Sequence, residues 1–175
     1  NLQKSVFEFS TVEEFWRNFD HVPKPSEVFY DGKSRKRVGQ PPQDRFIESF
    51  SLFKKGIAPE WEDTANINGG EWNLRKQGRN SDDFHLLDDM WENLVLGLVG
   101  ETIDLADYVT GARIVDKSNG KGSALVYRIE LWLRTKDDDI RNQLKQRLIS
   151  IMTEGQNTPS RFADQFQWKL HGDEF

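Results

Sequence analysis

The nine residues LVYRIELWL, numbered 125–133, alternate in character along their whole length. Successive side chains of a β-strand point to opposite faces, so this alternation predicts a strand with one face in the core. The predicted core face carries Leu125, Tyr127, Ile129, Leu131 and Leu133. The opposite face carries Val126, Arg128, Glu130 and Trp132. An Arg and a Trp on one face can hold an aromatic ligand with an anionic tail, and the alternative is an ordinary solvated face.

Further strands are predicted outward from this one, at residues 1–9, 51–53, 71–76, 111–117 and 166–170. Three amphipathic helices lie between them, with apolar residues every three or four positions. The first begins at Thr11, whose spacing to Glu14 is that of a capping box, and the third begins at residues 137–139. The second is predicted to begin at Ser81 or Asp82 and to end at Gly100. This order predicts an α+β fold with a single, mostly antiparallel sheet and helices on one face.

Length and composition exclude several classes of protein. With 175 residues the chain is predicted to be one domain, residues 1–175, with a long loop or insertion at 23–44 that carries four prolines and the basic residues 33–37. The net charge of −5 argues against a broad nucleic-acid coat but is compatible with a small anion pocket lined by a few basic residues. The absence of Cys excludes disulfides and thiolate sites, and the longest apolar run, 94–100, is too short to cross a bilayer.

One tryptophan falls in an unusual place. Trp61 and Glu62 lie in a segment, residues 57–70, that is rich in Pro, Gly and Asn and is predicted to be a loop. An exposed Trp on a loop is often a binding residue. The alternative is that Trp61 packs back over the edge of the sheet.

Several stretches together resemble the eukaryotic translation initiation factor 4E family, which binds the 7-methylguanosine cap of messenger RNA. In chain order they are FSTVEEFW (9–16), SLFKKGIAPEWED (51–63), GGEW (69–72), residues 91–101, GA (111–112) and IELW (129–132). They span most of residues 1–152, and the sequence is similar to a divergent member. The resemblance implies a curved antiparallel sheet backed by three helices, with the cap in its concave face.

The resemblance also implies how the base of the cap is bound. Trp61 corresponds to the second of two indoles that sandwich the methylated base, whose positive charge attracts an indole face. Glu62 corresponds to the carboxylate that accepts from the two donors of guanine. Trp132 corresponds to the indole that lies against the methyl group.

The first stacking indole of the family would lie about two or three residues before Asn1. The expectation is that the chain given begins after it. The alternative is that Phe29 or Tyr30, in the long loop, replaces it.

Basic residues are implied for the triphosphate. Lys117 and Arg128 correspond to the two positions that hold it, and the long hairpin loop 118–123 adds Lys121. Glu71 stands where a basic residue is usual, and Lys117 stands where Arg is usual, so a bidentate grip on phosphate is not available there. These departures predict weaker binding of the simple cap than is typical of the family.

A partner surface is implied on the convex, helical face, where a helical peptide of a scaffold factor of the 4G type or of a 4E-binding repressor would bind. Its residues are Val12, Trp16, Leu96 and Gly100, together with Glu92 and Asn93. The last two stand where the family has an apolar residue and then Glu. We therefore expect the usual consensus peptide to bind poorly and a dedicated partner to exist.

The leading function is thus a non-enzymatic cap-binding protein that recruits a scaffold, with no cofactor or metal, in the cytoplasm; the basic run 33–37 admits nuclear import as an alternative. A second alternative is a cap-binding repressor or storage factor. A remote one is a metal-dependent phosphoesterase that uses the Asp clusters at residues 82–89 or 137–139. Those clusters lie near helix starts, where Asp commonly caps a helix.

Overall fold

Seven strands form two antiparallel sheets. The computed structural model describes residues 4–78, 81–122, 124–158 and 161–173. Within these residues the strands are β1 (Arg37–Val38), β2 (Arg45–Phe46), β3 (Ser49–Phe53), β4 (Gly70–Gly78), β5 (Val109–Asp116), β6 (Leu125–Leu133) and β7 (Phe166–Leu170). The main sheet has the order β3-β5-β6-β4-β7, and β1 and β2 form a separate two-stranded ribbon. The predicted α+β fold with an antiparallel sheet backed by helices is confirmed, and the structure adds the small two-stranded ribbon to it.

The helices are α1 (Val12–Phe19), α2 (Pro25–Val28), α3 (Ser81–Val99) and α4 (Asp138–Met152). The predicted caps of the first and last are confirmed: Thr11 Oγ1 accepts from Glu14 N at 3.1 Å, and Asp137 Oδ1 accepts from Ile140 N at 2.9 Å. No helix in the described ranges has the length and apolarity needed to span a membrane.

The boundaries of α3 differ in part from expectation. The side chains of Ser81 and Asp82, which were candidates for its cap, lie outside the described residues. At its other end the left-handed residue is Glu101, with φ of 54°, and not Gly100. The prediction that Gly100 provides the left-handed stop is therefore wrong, because the helix unwinds one residue later.

One hydrophobic core joins the helices to the main sheet. The predicted core face of β6 is confirmed, since its five side chains are at most 3% exposed. They share a cluster with Phe15 of α1, Leu94 of α3 and Leu148 of α4. Trp72 Nε1 of β4 also donates to the carbonyl of Arg141 in α4, at 2.7 Å. The helices therefore cover one face of the main sheet and leave the polar residues of β6 on the other.

One prediction for the first 44 residues is wrong. Residues 4–9 contain no strand, because Phe9 turns toward Phe15, with ring centroids 5.1 Å apart, instead of pairing along a sheet edge. The segment 23–44, expected to be a long loop or an insertion, contains α2 and the first strand of the ribbon. Phe29 and Tyr30 are 0% and 3% exposed, so their apolar rings belong to the core and cannot replace a stacking indole.

Candidate functional site

A buried carboxylate lies at the centre of the polar face of the main sheet, the face of Arg113, Arg128, Glu130 and Trp132. Glu130 is 0% exposed and accepts from Arg113 Nε at 2.9 Å, Arg128 Nε at 2.7 Å and Trp132 Nε1 at 2.8 Å. The antiparallel register places Arg113 of β5 directly opposite Glu130. Two guanidinium groups against one carboxylate leave an excess positive charge, which favours an anionic ligand.

Two further cations lie at one end of this face. Lys117 directly follows β5, and its backbone N–H donates to the carbonyl of Val126 at 2.7 Å. Partial burial lowers the pKa of Lys117, and the charge of Arg128 lowers it further, which places the two cations in the same electrostatic field. Lys121 is exposed in the loop between β5 and β6. The predicted phosphate residues are thus brought to one end of β5 and β6.

Trp132 lies at the opposite end of β6 and is only 3% exposed. Phe53 meets it edge-on with ring centroids 5.3 Å apart, His171 approaches to 4.5 Å, and the Arg113 guanidinium lies 5.2 Å from its centroid. The sequence predicted an indole that meets the ligand. The structure instead covers most of that ring with protein side chains.

His171 connects three parts of the site. Its Nδ1 lies 2.8 Å from the carbonyl oxygen of Asn66, and its Nε2 lies 3.2 Å from Glu71 Oε2. A carbonyl and a carboxylate only accept, and the tautomer of the ring decides which of its nitrogens donates. Burial is the largest single influence and raises the pKa of Glu71, but the hydrogen bonds with His171 and Asn73, together with nearby positive charge that includes Arg128, bring the pKa below its ordinary value.

This pairing also changes the role expected for Glu71. The sequence predicted that its charge would lie beside the phosphate path. Its side chain is 5% exposed and is paired with His171, so its negative charge is matched by a hydrogen-bonding partner inside the protein. The weaker binding of the simple cap stays a prediction, and the replacement of Arg by Lys at position 117 is the departure that supports it most directly.

The loop 54–69, which joins β3 to β4, is held in shape by its own polar side chains. Asp63 accepts from the backbone N–H groups of Ala58 and Ala65, each at 2.9 Å, and these bonds lower its pKa. Asn66 is 0% exposed, and its Nδ2 donates to the carbonyl of Ala58 at 3.0 Å. These contacts order the loop from within, and His171 fastens it to the sheet through Asn66.

Trp61 and Glu62 stand on this ordered loop and face solvent. Trp61 is 43% exposed, and the covered part of its ring lies near Gly172, just after the edge strand β7. A methyl group added to Gly172 would lie 3.4 Å from the Trp61 ring, while His171, one residue earlier, contacts Trp132. The structure therefore brings Trp61 and Trp132 to the same end of the sheet. Glu62 is exposed, and no hydrogen bond or ion pair with another described residue engages it.

The predicted partner residues fall into two groups. Val12 and Trp16 of α1 are exposed, at 54% and 39%, and form an apolar surface. On α3, Leu96 is partly buried, and Glu92 lies 3.8 Å from Lys24 Nζ.

Asn93 and Gly100 complete that set. Asn93 Nδ2 donates to the carbonyls of Met152 at 3.2 Å and of Glu154 at 3.4 Å, which joins α3 to the end of α4. Gly100 is exposed just beyond α3. Asn93 is thus already engaged by the fold, whereas Gly100 is open to contact.

The Asp clusters serve the fold where the structure describes them. Asp137 caps α4, Asp138 pairs with Arg141 at 2.8 Å, and Asp88 accepts from the backbone N–H of Ser26 at 2.9 Å. The described ranges contain no group of three or more His, Asp and Glu side chains that could hold a metal ion.

Sequence reasoning missed three residues of this site: Arg113, Glu130 and His171. The sequence pattern could have indicated the first two. Alternation within the predicted strand 111–117 puts Arg113 on the same face as Lys117, and antiparallel pairing can place it opposite Glu130. His171 had no such signal, because its contacts come from residues about a hundred positions away.

Comparison with known proteins agrees with this arrangement. A family model described as Eukaryotic initiation factor 4E matches residues 1–174. The chain is 29% identical over 174 residues to eukaryotic translation initiation factor 4E1 of Drosophila melanogaster, a match that covers 99% of this chain and 55% of that protein. It is 33% identical over 154 residues to factor 4E-2 of Schizosaccharomyces pombe, covering 87% and 53%. The chain thus spans about half the length of these curated relatives.

Solved structures show the same fold. The complex of C. elegans eIF4E-3 with the 4E-binding protein Mextli matches with a TM-score of 0.71 at 26% identity, over 96% of this chain and 80% of that one. The complex of Ascaris suum eIF4E-3 with the m7G cap matches with a TM-score of 0.67 at 25% identity, over 95% and 77%. The match over residues 1–174, together with this common architecture, shows that the chain belongs to the eukaryotic initiation factor 4E family.

Proposed function

We propose that this chain binds the 7-methylguanosine 5′ cap of messenger RNA and recruits a scaffold protein in translation initiation. The proposal rests on the order of the side chains along one face of the main sheet. Exposed Trp61 stands at one end, and the cations Arg128 and Lys117 follow toward the other. A ligand with a flat cationic base and a polyanionic tail matches that order.

The base is bound at the Trp61 end. N7-methylation makes guanine cationic, and an indole face attracts a cation as well as stacking on a flat ring. Glu62, next in the chain, offers two acceptor oxygens to the N1–H and N2–H₂ donors of guanine. Adenine lacks this donor pair, so the carboxylate gives selectivity for guanine.

The triphosphate extends along β6 toward Arg128 and Lys117. Trp132 and Arg128 are four residues apart on one strand face, a span of about 13 Å. The excess positive charge around Glu130 favours a multiply charged anion there. The ligand is bound and not transformed, so the role is recognition and not catalysis.

Recruitment uses the helical face. Exposed Val12 and Trp16 provide apolar contact for an amphipathic helix of a scaffold factor, and Leu96 and Gly100 of the α3 region extend this surface. The Mextli complex of C. elegans eIF4E-3 supports such a role for this family. We place the activity in the cytoplasm, where messenger RNA is translated.

Tryptophan-fluorescence titration with m7GTP tests cap binding. Stacking should quench the indoles, and Glu62→Ala should lose most of the affinity. Glu154→Ala, which removes an exposed carboxylate at the end of α4, is the matched control and should bind as the wild type does. No quenching by m7GTP in the wild-type chain would overturn the proposal.

A pull-down with a scaffold-derived helical peptide tests recruitment. Trp16→Ala should reduce peptide binding and leave m7GTP affinity unchanged, because α1 lies on the helical side of the sheet. If Trp16→Ala left binding of every scaffold peptide unchanged, α1 would not be the partner surface.

A further inference from the structure

The ribbon formed by β1 and β2 presents an aromatic ring and two arginines to solvent. Phe46 is 45% exposed, and the Arg37 guanidinium lies 4.6 Å from its ring centroid. In the ribbon register Arg37 is opposite Phe46 and Val38 is opposite Arg45. An exposed aromatic ring beside an arginine is an arrangement with which proteins stack and hold single-stranded nucleic acid.

The ribbon is attached to the phosphate end of the proposed cap site. Arg35, two residues before β1, donates from Nε to the buried carboxylate of Asp116 at 3.1 Å and from Nη2 to the carbonyl of Ser118 at 2.8 Å. Tyr30 Oη donates to the carbonyl of Gly122 at 2.7 Å. Asp116, Ser118 and Gly122 belong to the end of β5 and the loop that follows it. The segment before the ribbon is therefore fixed to the loop that carries Lys117 and Lys121.

The ribbon lies at the phosphate end of the main sheet. Trp132 lies at one end of β6, and the backbone of Lys117 pairs with Val126, six residues before Trp132, a span of about 20 Å. Phe46 is three residues before β3, whose first residue, Ser49, pairs with Val115 near the end of β5. The ribbon and Lys117 are therefore at the same end of the sheet, where Arg35 holds the segment before the ribbon through the core-side carboxylate of Asp116.

The local charge suits RNA although the whole protein is acidic. Residues 31–48 contain five Lys or Arg against three Asp or Glu, in a chain with a net charge of −5. Of the acidic residues, Asp44 pairs with Arg37 at 3.2 Å, and Glu48 lies 3.7 Å from Arg35.

Three further cations of this segment face solvent. Lys33, Lys36 and Arg45 are exposed and form no ion pair within 4 Å of a described carboxylate, and the charge of Lys36 acts on Asp31. Cations of this kind can exchange counterions for phosphates, which gives affinity without sequence preference.

We propose that the ribbon is a second RNA site, which binds the single-stranded nucleotides that follow the cap. One base stacks on one face of the Phe46 ring, and Arg37 lies against the other face. The phosphates of the RNA contact Arg45, Lys33 and Lys36. The site rests on the proposed cap binding for its orientation, but its residues are distinct from those that bind the base.

Four ligands test it in titrations: the dinucleotides m7GpppG and GpppG, and a ten-nucleotide RNA with and without the cap. The variants are Phe46→Ala, Phe46→Leu and the double variant Arg37→Ala/Arg45→Ala. Arg147→Ala, which removes a surface arginine of α4 paired with Asp104, is the charge control. Urea unfolding of each variant checks that it folds, and the double arginine variant retains the test if either Phe46 variant does not fold.

We expect the wild type to bind the capped ten-nucleotide RNA more tightly than m7GpppG. Phe46→Ala and Phe46→Leu should each lower the affinity for the longer RNA by about fivefold or more, since stacking needs the ring. The affinity for m7GpppG should not change. The double arginine variant should lower the salt slope for the longer RNA by about 0.7, because Arg45 is the one of the two arginines that meets a phosphate. Arg147→Ala should behave as the wild type.

Unchanged affinity of all three ribbon variants for the longer RNA would overturn the proposal. So would a loss of scaffold-peptide binding without a loss of RNA binding, which would make the ribbon a protein surface. Failure of the proposed function is a separate result: m7GpppG and GpppG would bind equally, while the ribbon variants would still weaken the uncapped RNA if the second site is correct.

Discussion

Trp132 and Trp61 lie at the same end of the main sheet, yet their surroundings are opposite. Trp132 stands on a central strand, is 3% exposed, and donates its N–H to a carboxylate that also binds two arginines. Trp61 stands on a loop, is 43% exposed, and is approached by Gly172. One indole is fixed by its neighbours, and the other is presented to solvent by a loop that is ordered beneath it.

The difference indicates a division of labour within the site. The region around Glu130 holds cations in place before any ligand arrives, so little ordering cost remains to be met on binding. The region around Trp61 keeps the ring and the neighbouring Glu62 accessible, as residues that recognise a ligand must be. Substitutions in the first region should change stability, and substitutions in the second should change affinity.

The largest effect is expected at Glu130. Glu130→Ala leaves two guanidinium groups and an indole N–H without their acceptor, and removal of one partner from a buried pair is strongly destabilising. We expect a loss of about 3 kcal/mol in the free energy of unfolding. This value is at the lower end of the range for breaking a buried ion pair, because Arg113 and Arg128 keep about a fifth of their side-chain surface exposed. Urea denaturation measures it, with Glu154→Ala as control. A loss near zero would remove the contrast between the two regions.

The next effect is expected at Trp61. Trp61→Ala should lower the affinity for m7GTP by about tenfold or more, which is the contribution of stacking on one aromatic ring. It should change the free energy of unfolding by less than about 1 kcal/mol. Ile67→Ala is the matched control, since Ile67 lies in the same loop and is also 43% exposed. Equal effects of the two variants on m7GTP affinity would mean that Trp61 does not stack on the base.

A smaller effect concerns the pair of Glu71 and His171. Because the pKa of Glu71 in the folded protein lies below its ordinary value of 4.5, the stability it provides is fully present above pH 4.5 and is lost as the pH falls through the folded value. Glu71→Gln should therefore cost about 1.5 kcal/mol at pH 7, as for removal of a charged hydrogen bond, and less below pH 4.5. Unfolding curves across this range measure the difference. A cost that stays constant with pH would show that the charge of Glu71 is not involved.

The smallest effect is expected at Lys117. Lys117→Arg should raise the affinity for m7GTP by about two- to fivefold, because a guanidinium can bind phosphate through two parallel hydrogen bonds. The nucleoside 7-methylguanosine, which has no phosphate, is the control ligand and should bind unchanged. Equal gains for both ligands would place Lys117 away from the phosphates.

Most of the fold could be predicted because local patterns and packing agree. The alternation in β6 follows directly from the pleat of a strand whose apolar face meets the core, and Thr11 and Asp137 cap helices through residues three positions away. Gly100 shows the limit of such patterns. A glycine is the usual left-handed residue at a helix end, but the tertiary structure puts Glu101 there instead.

The site was predictable only where contacts are local or where family resemblance supplied them. Arg128 and Trp132 share a strand face, which alternation shows. The pairing of Glu71 with His171 joins residues 100 positions apart, and the docking of Arg35 onto Asp116 spans 81. No local pattern encodes such distances, so Glu71 was expected to add a negative charge beside the phosphate path, and the helix and strand within the long loop or insertion 23–44 were not predicted.

The most direct test of cap binding is a calorimetric titration of the chain with m7GTP and with GTP under the same conditions. The two ligands differ only in the methyl group and the positive charge that it creates on the base. If an indole face recognises that charge, m7GTP should bind about tenfold more tightly than GTP. Equal affinities would contradict the assignment of Trp61 and Glu62 as a cap-reading pair.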